Sequence, residues 1–295
     1  MRIKKDQQQY RHAFHLVTRS PWPFFTSIAL YTLAIGFVMY MHSYQHGGII
    51  TLCGFFMLII CLIGWWGDVI FEATYQGAHT FAVQHGLRIG FILFIISEAM
   101  FFFGFFFAFF YVSLSPSIFI GAIWPPLGIV VLDPWGIPLL NTIILVVSGL
   151  FATLAHDIFK YFGLSKGNAI SIIVHPRLFQ EKLNKKKHYF PISFVSLGIA
   201  IFLGFLFTSF QLYEYIIAPF SMSDGIYGSI FYMATGFHGL HVIIGTIFLS
   251  VVLIRHKYNH FFGRHFFAVE ASVWYWHFVD VIWLFLYLCV YCWGS

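Results

Sequence analysis

LRIGFILFIISEAMFFFGFFFAFFY, residues 87–111, decides the fold of this chain. Past Arg88 it carries a single ionisable group, Glu98, among residues that are otherwise almost all apolar, and no turn punctuation breaks it into strands. A bilayer's hydrocarbon core is about 30 Å thick and is crossed by about 20 helical residues. No water is there to satisfy backbone N–H and C=O groups, so the run must bond to itself as a transmembrane helix. A carboxylate at that depth costs on the order of a few kcal/mol unless it is neutral, paired or facing a wet cavity. Glu98 is therefore a candidate functional carboxyl; a structural Glu bonded to a neighbouring helix is the alternative.

Working outward, the composition agrees with that reading. The 295 residues are 60% hydrophobic and 9% charged, against about 25% charged for a soluble domain, which excludes one globular core with a charged skin. Seven apolar segments follow, near 22–41, 49–66, 87–111, 137–155, 190–213, 225–254 and 271–293. All 16 Lys and Arg fall before the first, between the second and third, between the fourth and fifth, or between the sixth and seventh. Seven spans put every one of those regions on one side, whereas six or eight would scatter them. The positive-inside rule then places the N-terminus inside and the C-terminus outside. The net charge of +5 is thus a topology signal, and no aromatic-basic motif points to nucleic acid. The only stretch resembling a soluble insertion is the lysine-rich loop at about 159–190, read as solvated and lipid-facing. Cys53, Cys61, Cys289 and Cys292 all lie in apolar runs, which argues for packing rather than a secreted disulfide framework. The N-terminal residues show no apolar core followed by a small-residue cleavage site, so no signal peptide is expected. Thirty-nine Phe suit an AT-rich, organelle-encoded gene.

The polar groups that a membrane should not tolerate are few. GWWGDVIFEATYQGAHTFAVQHGLR sets Trp65 and Trp66 at an interface ahead of Asp68, Glu72 and His79, a combination that suits a lipid head group or a plain surface helix end. MATGFHGLHVIIG puts His238 and His241 on one helical face near mid-span, among glycines that let helices approach closely. Those two and His277 are the possible haem or copper ligands; HxxH is a weak signal and no matched pair stands on a second helix, so hydrogen bonding between helices is the stronger reading. His277 and Asp280, at i and i+3, can pair with each other or with a neighbouring helix. A relay of Glu98, His241, His277 and Asp280 in a proton or ion transporter is the competing function.

RHAFHLVTRSPWP, the run around Glu98, APFSMSDGIYGSIFYMATGFHGLHVIIGT and EASVWYWHFVDVIWLFLYLCVYCWGS together resemble cytochrome c oxidase subunit III across nearly the whole chain, with FHGLHV and WYWHFVDV the most specific pieces. The resemblance implies an all-α polytopic fold of seven transmembrane helices. Residues 1–87 would hold helices one and two, splayed in a V from helices three to seven in 88–295, with phospholipid (cardiolipin, phosphatidylglycerol, phosphatidylethanolamine) in the cleft. It implies no catalytic residue, metal or haem on this chain, since haem and copper belong to subunits I and II, its partners along with accessory subunits. Glu98 matches the family's carbodiimide-reactive carboxyl; Trp66, Glu72, His79, Arg255 and His260 match lipid-holding positions; His12 and His15 match surface histidines that feed protons toward subunit I. The implied location is the mitochondrial inner membrane, N-terminus in the matrix and C-terminus in the intermembrane space, or a bacterial plasma membrane. Gly67 and Phe71 stand where the family usually has arginine, which removes one anionic-lipid contact.

Overall fold

The computed structural model describes residues 13–165, 176–261 and 265–294, with side chains throughout except at 161–165 and 176–189. Its regular elements are helical. Seven helices are long and apolar enough to cross a membrane: α1 (Trp22–Met41), α2 (Gly47–Thr74), α3 (Phe81–Leu114), α4 (Ile137–Ser165), α5 (Pro176–Ile217), α6 (Ile226–Lys257) and α7 (Phe267–Leu286), the last continuing through a π-helical stretch, Tyr287–Trp293. A short 3-10 turn, Ile118–Ile120, lies between α3 and α4.

Local chemistry sets the ends. Pro23 enters the first turn of α1, where its missing N–H leaves no bond unmade. Ser43 and His46 take positive φ (59° and 66°), which reverses the chain between Met41 and Gly47 and returns α2 against α1. Gly225 (φ 108°) opens α6, and Arg255 and Lys257 end it, cations at the electronegative pole of the helix.

The helices outrun the apolar segments. α3 begins at Phe81 rather than near 87, and α4 and α5 reach Ser165 and Pro176, so much of the basic stretch expected as a loop is helical backbone. The physical reason is that a helix satisfies its own hydrogen bonds in water as in lipid, and Leu, Glu, Gln and Lys are strong helix formers. α5 also runs through Pro191, which forfeits one backbone bond; two residues on, Ser193 Oγ donates to the Phe190 carbonyl at 3.0 Å.

The chain divides into two compact units, Met1–Leu87 and Arg88–Ser295. In the first, Gly36 and Gly54 let the α1 and α2 backbones touch: a Cβ on Gly36 would strike Thr51, and one on Gly54 would strike Leu33. In the second, the core runs through α4 to α7, around Trp276, Trp283, Phe207, Phe231, Leu197 and Leu249.

Candidate functional site

Glu98 projects from α3 toward α6, where its Oε2 lies 2.8 Å from His241 Nε2. The other ring nitrogen, Nδ1, is 2.6 Å from the Phe237 carbonyl. A carbonyl can only accept, so Nδ1 carries a hydrogen. Nε2 and Oε2 then hold one proton between them, either as imidazolium and carboxylate or as neutral imidazole and acid. In both forms the pair is neutral overall, which is how a carboxyl and an imidazole persist at this depth. The surroundings are aromatic: the rings of Phe102, Tyr275 and Phe278 lie 5.0, 6.3 and 6.4 Å from that of His241.

The second histidine of FHGLHV has a different partner. His238 is fully buried and its Nε2–H donates to the Val279 carbonyl on α7 at 3.2 Å, between the rings of Phe207 and Trp283. His277 turns toward α4: Nε2 is 2.9 Å from Thr153 Oγ1, and Nδ1 faces Asp280 Oδ2 at 3.5 Å. Gly149 makes room for that carboxyl, since a Cβ there would collide with Asp280 Oδ2. The five polar groups expected from the sequence thus form two separate pairs, Glu98–His241 and His277–Asp280, plus the helix-to-helix bond of His238. Among the described residues no three His, Cys, Asp or Glu come together in a group able to hold a metal. The four cysteines are free thiols.

The expected lipid positions fall in both units. In the first, Trp66 is exposed on α2, and Glu72 lies six residues further along the same helix; Trp22 Nε1–H donates to Asp68 Oδ2 at 2.6 Å, joining the start of α1 to the end of α2. The His79 carbonyl accepts from Gln84 Nε2, and its ring lies 6.2 Å from that of His15. Thr80 Oγ1 bonds the Ala13 carbonyl, so residues 13–15 are held against the segment after α2. His12 lies outside the described residues. In the second unit, the Arg255 guanidinium sits 4.7 Å over the Phe261 ring. Beyond the end of α6, burial and then the Arg255 charge push the His260 imidazole below its ordinary range.

Three features escaped the sequence reading. Arg88 and Glu270 pair at 2.7 Å across 182 residues. Trp276 and Trp283 donate to Ser148 and Thr142 of α4, each at 2.9 Å. Glu214 on α5 is buried and accepts from the Tyr291 hydroxyl at 2.6 Å. An expected segment end at 213 hid Glu214; an acidic residue one turn past Gln211 in an apolar run was the available signal.

Comparison with known proteins matches this arrangement to one family. The family model described as Cytochrome c oxidase subunit III covers residues 12–179 and 164–295. The chain belongs to the cytochrome c oxidase subunit III family. Relatives named cytochrome c oxidase subunit 3 include those of Prototheca wickerhamii, 51% identical with 97% of this chain and 99% of the relative covered, and Marchantia polymorpha, 51% identical with 97% and 98% covered. That of Drosophila melanogaster is 48% identical with 96% and 98% covered. A seven-span, multi-pass member of the subunit III family is a membrane subunit of an oxidoreductase complex.

Proposed function

We propose that this chain is a core subunit of cytochrome c oxidase that holds no redox centre itself. It supports electron transfer from cytochrome c to oxygen, and the coupled proton pumping, by stabilising subunit I, organising lipid beside an oxygen approach route and aiding proton uptake. The match to the family over nearly the whole chain carries this reading. The non-redox part draws support from His241 and His277, whose ring nitrogens are all directed at protein groups. The same pairing weighs against a relay, because each histidine is engaged within its own pair and the two pairs face different helices. Haem and copper stay with subunits I and II, while phospholipid head groups lie at Trp66, Glu72 and His79 and, separately, at Arg255 and His260. The chain sits in the mitochondrial inner membrane with its N-terminus in the matrix.

Two experiments test this. Replacing His12 and His15 together should leave the oxidase spectrum intact and slow steady turnover, most at high pH where proton supply limits. An unchanged pH profile would reject proton collection; a lost chromophore would reject the non-redox reading. Accessibility labelling should find Lys185 on the side of the N-terminus and Ser295 on the other. Both on one side would end the seven-span orientation.

A further inference from the structure

We propose that Gln211, Glu214 and His238 line a buried site that binds water between α5, α6 and α7, toward the cation-poor end of the bundle. The three residues are 4%, 1% and 0% exposed. They lie along adjoining turns of the α5–α6 seam. Tyr215, one turn beyond Gln211 on α5, donates its hydroxyl to Thr235 Oγ1 at 2.7 Å, and Thr235 is one turn before His238 on α6. Phe207, one turn before Gln211, packs its ring 5.6 Å from that of His238. From α7, Tyr291 closes the site by bonding Glu214 Oε1, and Trp283 packs 5.8 Å from the Tyr291 ring and 5.0 Å from His238.

Hydrogen-bond capacity then points to the ligand. His238 donates from Nε2 to a carbonyl, so in its neutral form Nδ1 is a lone pair in need of a donor. That atom has no protein partner, and neither does Glu214 Oε2. The Gln211 amide lies close enough to the Tyr215 and Tyr291 hydroxyls to bear on both, yet neither its oxygen nor its nitrogen makes a hydrogen bond of normal geometry. Two acceptors, His238 Nδ1 and Glu214 Oε2, therefore face one amide NH2, and the Gln211 oxygen lacks a donor of its own, among walls that are otherwise aromatic. Buried polar groups in folded proteins are almost always satisfied. Water is the small ligand that supplies donors and accepts from the amide at once, making about three bonds to such groups. A cation would suit the carboxylate but not the amide nitrogen. Glu214 stands one turn from Ile217, where α5 ends, so the route to bulk water on that side is short.

The assembled oxidase tests the proposal by radiolytic hydroxyl labelling, in which bound water delivers the radical to buried side chains beside it. Tyr291 and His238 should label several-fold faster than Trp276, which is equally buried but fully bonded to Ser148. Gln211→Leu should bring the Tyr291 rate down toward that of Trp276 while leaving the haem spectrum unchanged. If that variant fails to assemble, the wild-type rates still decide. Tyr291 labelling no faster than Trp276 would overturn the proposal. So would a density map of the oxidase that resolves ordered water elsewhere and shows this site dry, or shows a density held by contacts shorter than hydrogen bonds, which would be a cation.

Discussion

In α1 and α2, 17% of each apolar window is buried within the chain, whereas in α7 the share is 56%. The two regions hold together by different means. The α1–α2 hairpin relies on backbone approach: Gly36, Gly47 and Gly54 each leave no room for a Cβ because main-chain atoms of the facing helix occupy that space. Its interhelical side-chain bond is Trp22 to Asp68, at an exposed end. The α4–α7 bundle is joined by donors that each need a particular acceptor, Trp276 to Ser148, Trp283 to Thr142 and Tyr215 to Thr235. Two of its glycines, Gly204 and Gly245, receive a side chain rather than backbone, both seating the Trp276 ring. Lipid offers no hydrophobic drive between helices, so a membrane protein specifies contacts either by shape or by polar pairing. In this chain the first unit leans more on shape and the second more on polar pairing.

The largest effect should come from the shape-dependent contact. In Gly54→Leu the new side chain meets the Leu33 backbone, which has no rotamer by which to yield, and we expect the hairpin to lose about 3 kcal/mol or to open. Gly204→Ala meets the edge of the Trp276 ring and should cost about 1–2 kcal/mol. Gly67→Leu faces open space and should be neutral. Protease resistance of residues 22–74 in the assembled oxidase reads the Gly54 and Gly67 variants, and thermal stability of the assembled oxidase reads Gly204→Ala. Equal losses for Gly54 and Gly67 variants would show that α1 and α2 do not depend on close approach.

Polar pairing is tested next at Glu98 and His241. Removing either partner leaves the other, a buried His241 or a partly buried Glu98, without its bond, so Glu98→Leu and His241→Leu should each cost about 2 kcal/mol. The double variant should cost less than the sum by about 1–2 kcal/mol, because the second change removes a group already unpaired. Asp68→Ala in the hairpin, which breaks an exposed bond, should cost under about 1 kcal/mol. Additive losses at Glu98 and His241 would mean that the pair is incidental to the bundle.

How much of this was legible follows the same division. Spans depend on apolar runs and on which side the cations fall, both local properties, so seven helices could be read from the chain. Their ends could not, because Phe81–Leu87 and Pro176–Tyr189 stay helical past the point where the apolar run stops. Glu98 stood out as the one carboxyl in its segment, but its partner lies 143 residues away on another helix, and no spacing rule connects them. His238 and His241 looked like one site because they share a helical face; small turns of the helix direct one to α7 and the other to α3. Polar pairing between helices is a property of packing, and packing is what a single sequence encodes least openly.

The smallest effect separates the two proposed sets of lipid-binding residues by pH. Burial and Arg255 both disfavour the His260 imidazolium, so the folded chain binds fewer protons there than the unfolded chain, whose imidazole has its ordinary value of 6.5. Acidification through that value therefore costs a little stability, and the cost levels off once pH falls below the depressed folded value. A bound lipid phosphate reverses the balance, since its negative charge favours the imidazolium and lies beside the Arg255 charge that opposes it. Phosphate binding must then take up protons, so the Arg255–His260 set should retain anionic lipid a few-fold more strongly as pH drops from about 8 to about 6, an effect the size of one partly exposed charge pair. His260→Gln should flatten that dependence and leave the retention at high pH unchanged. Lipid content measured by mass spectrometry after washing at each pH decides the matter: a dependence that survives His260→Gln would assign the proton to another group.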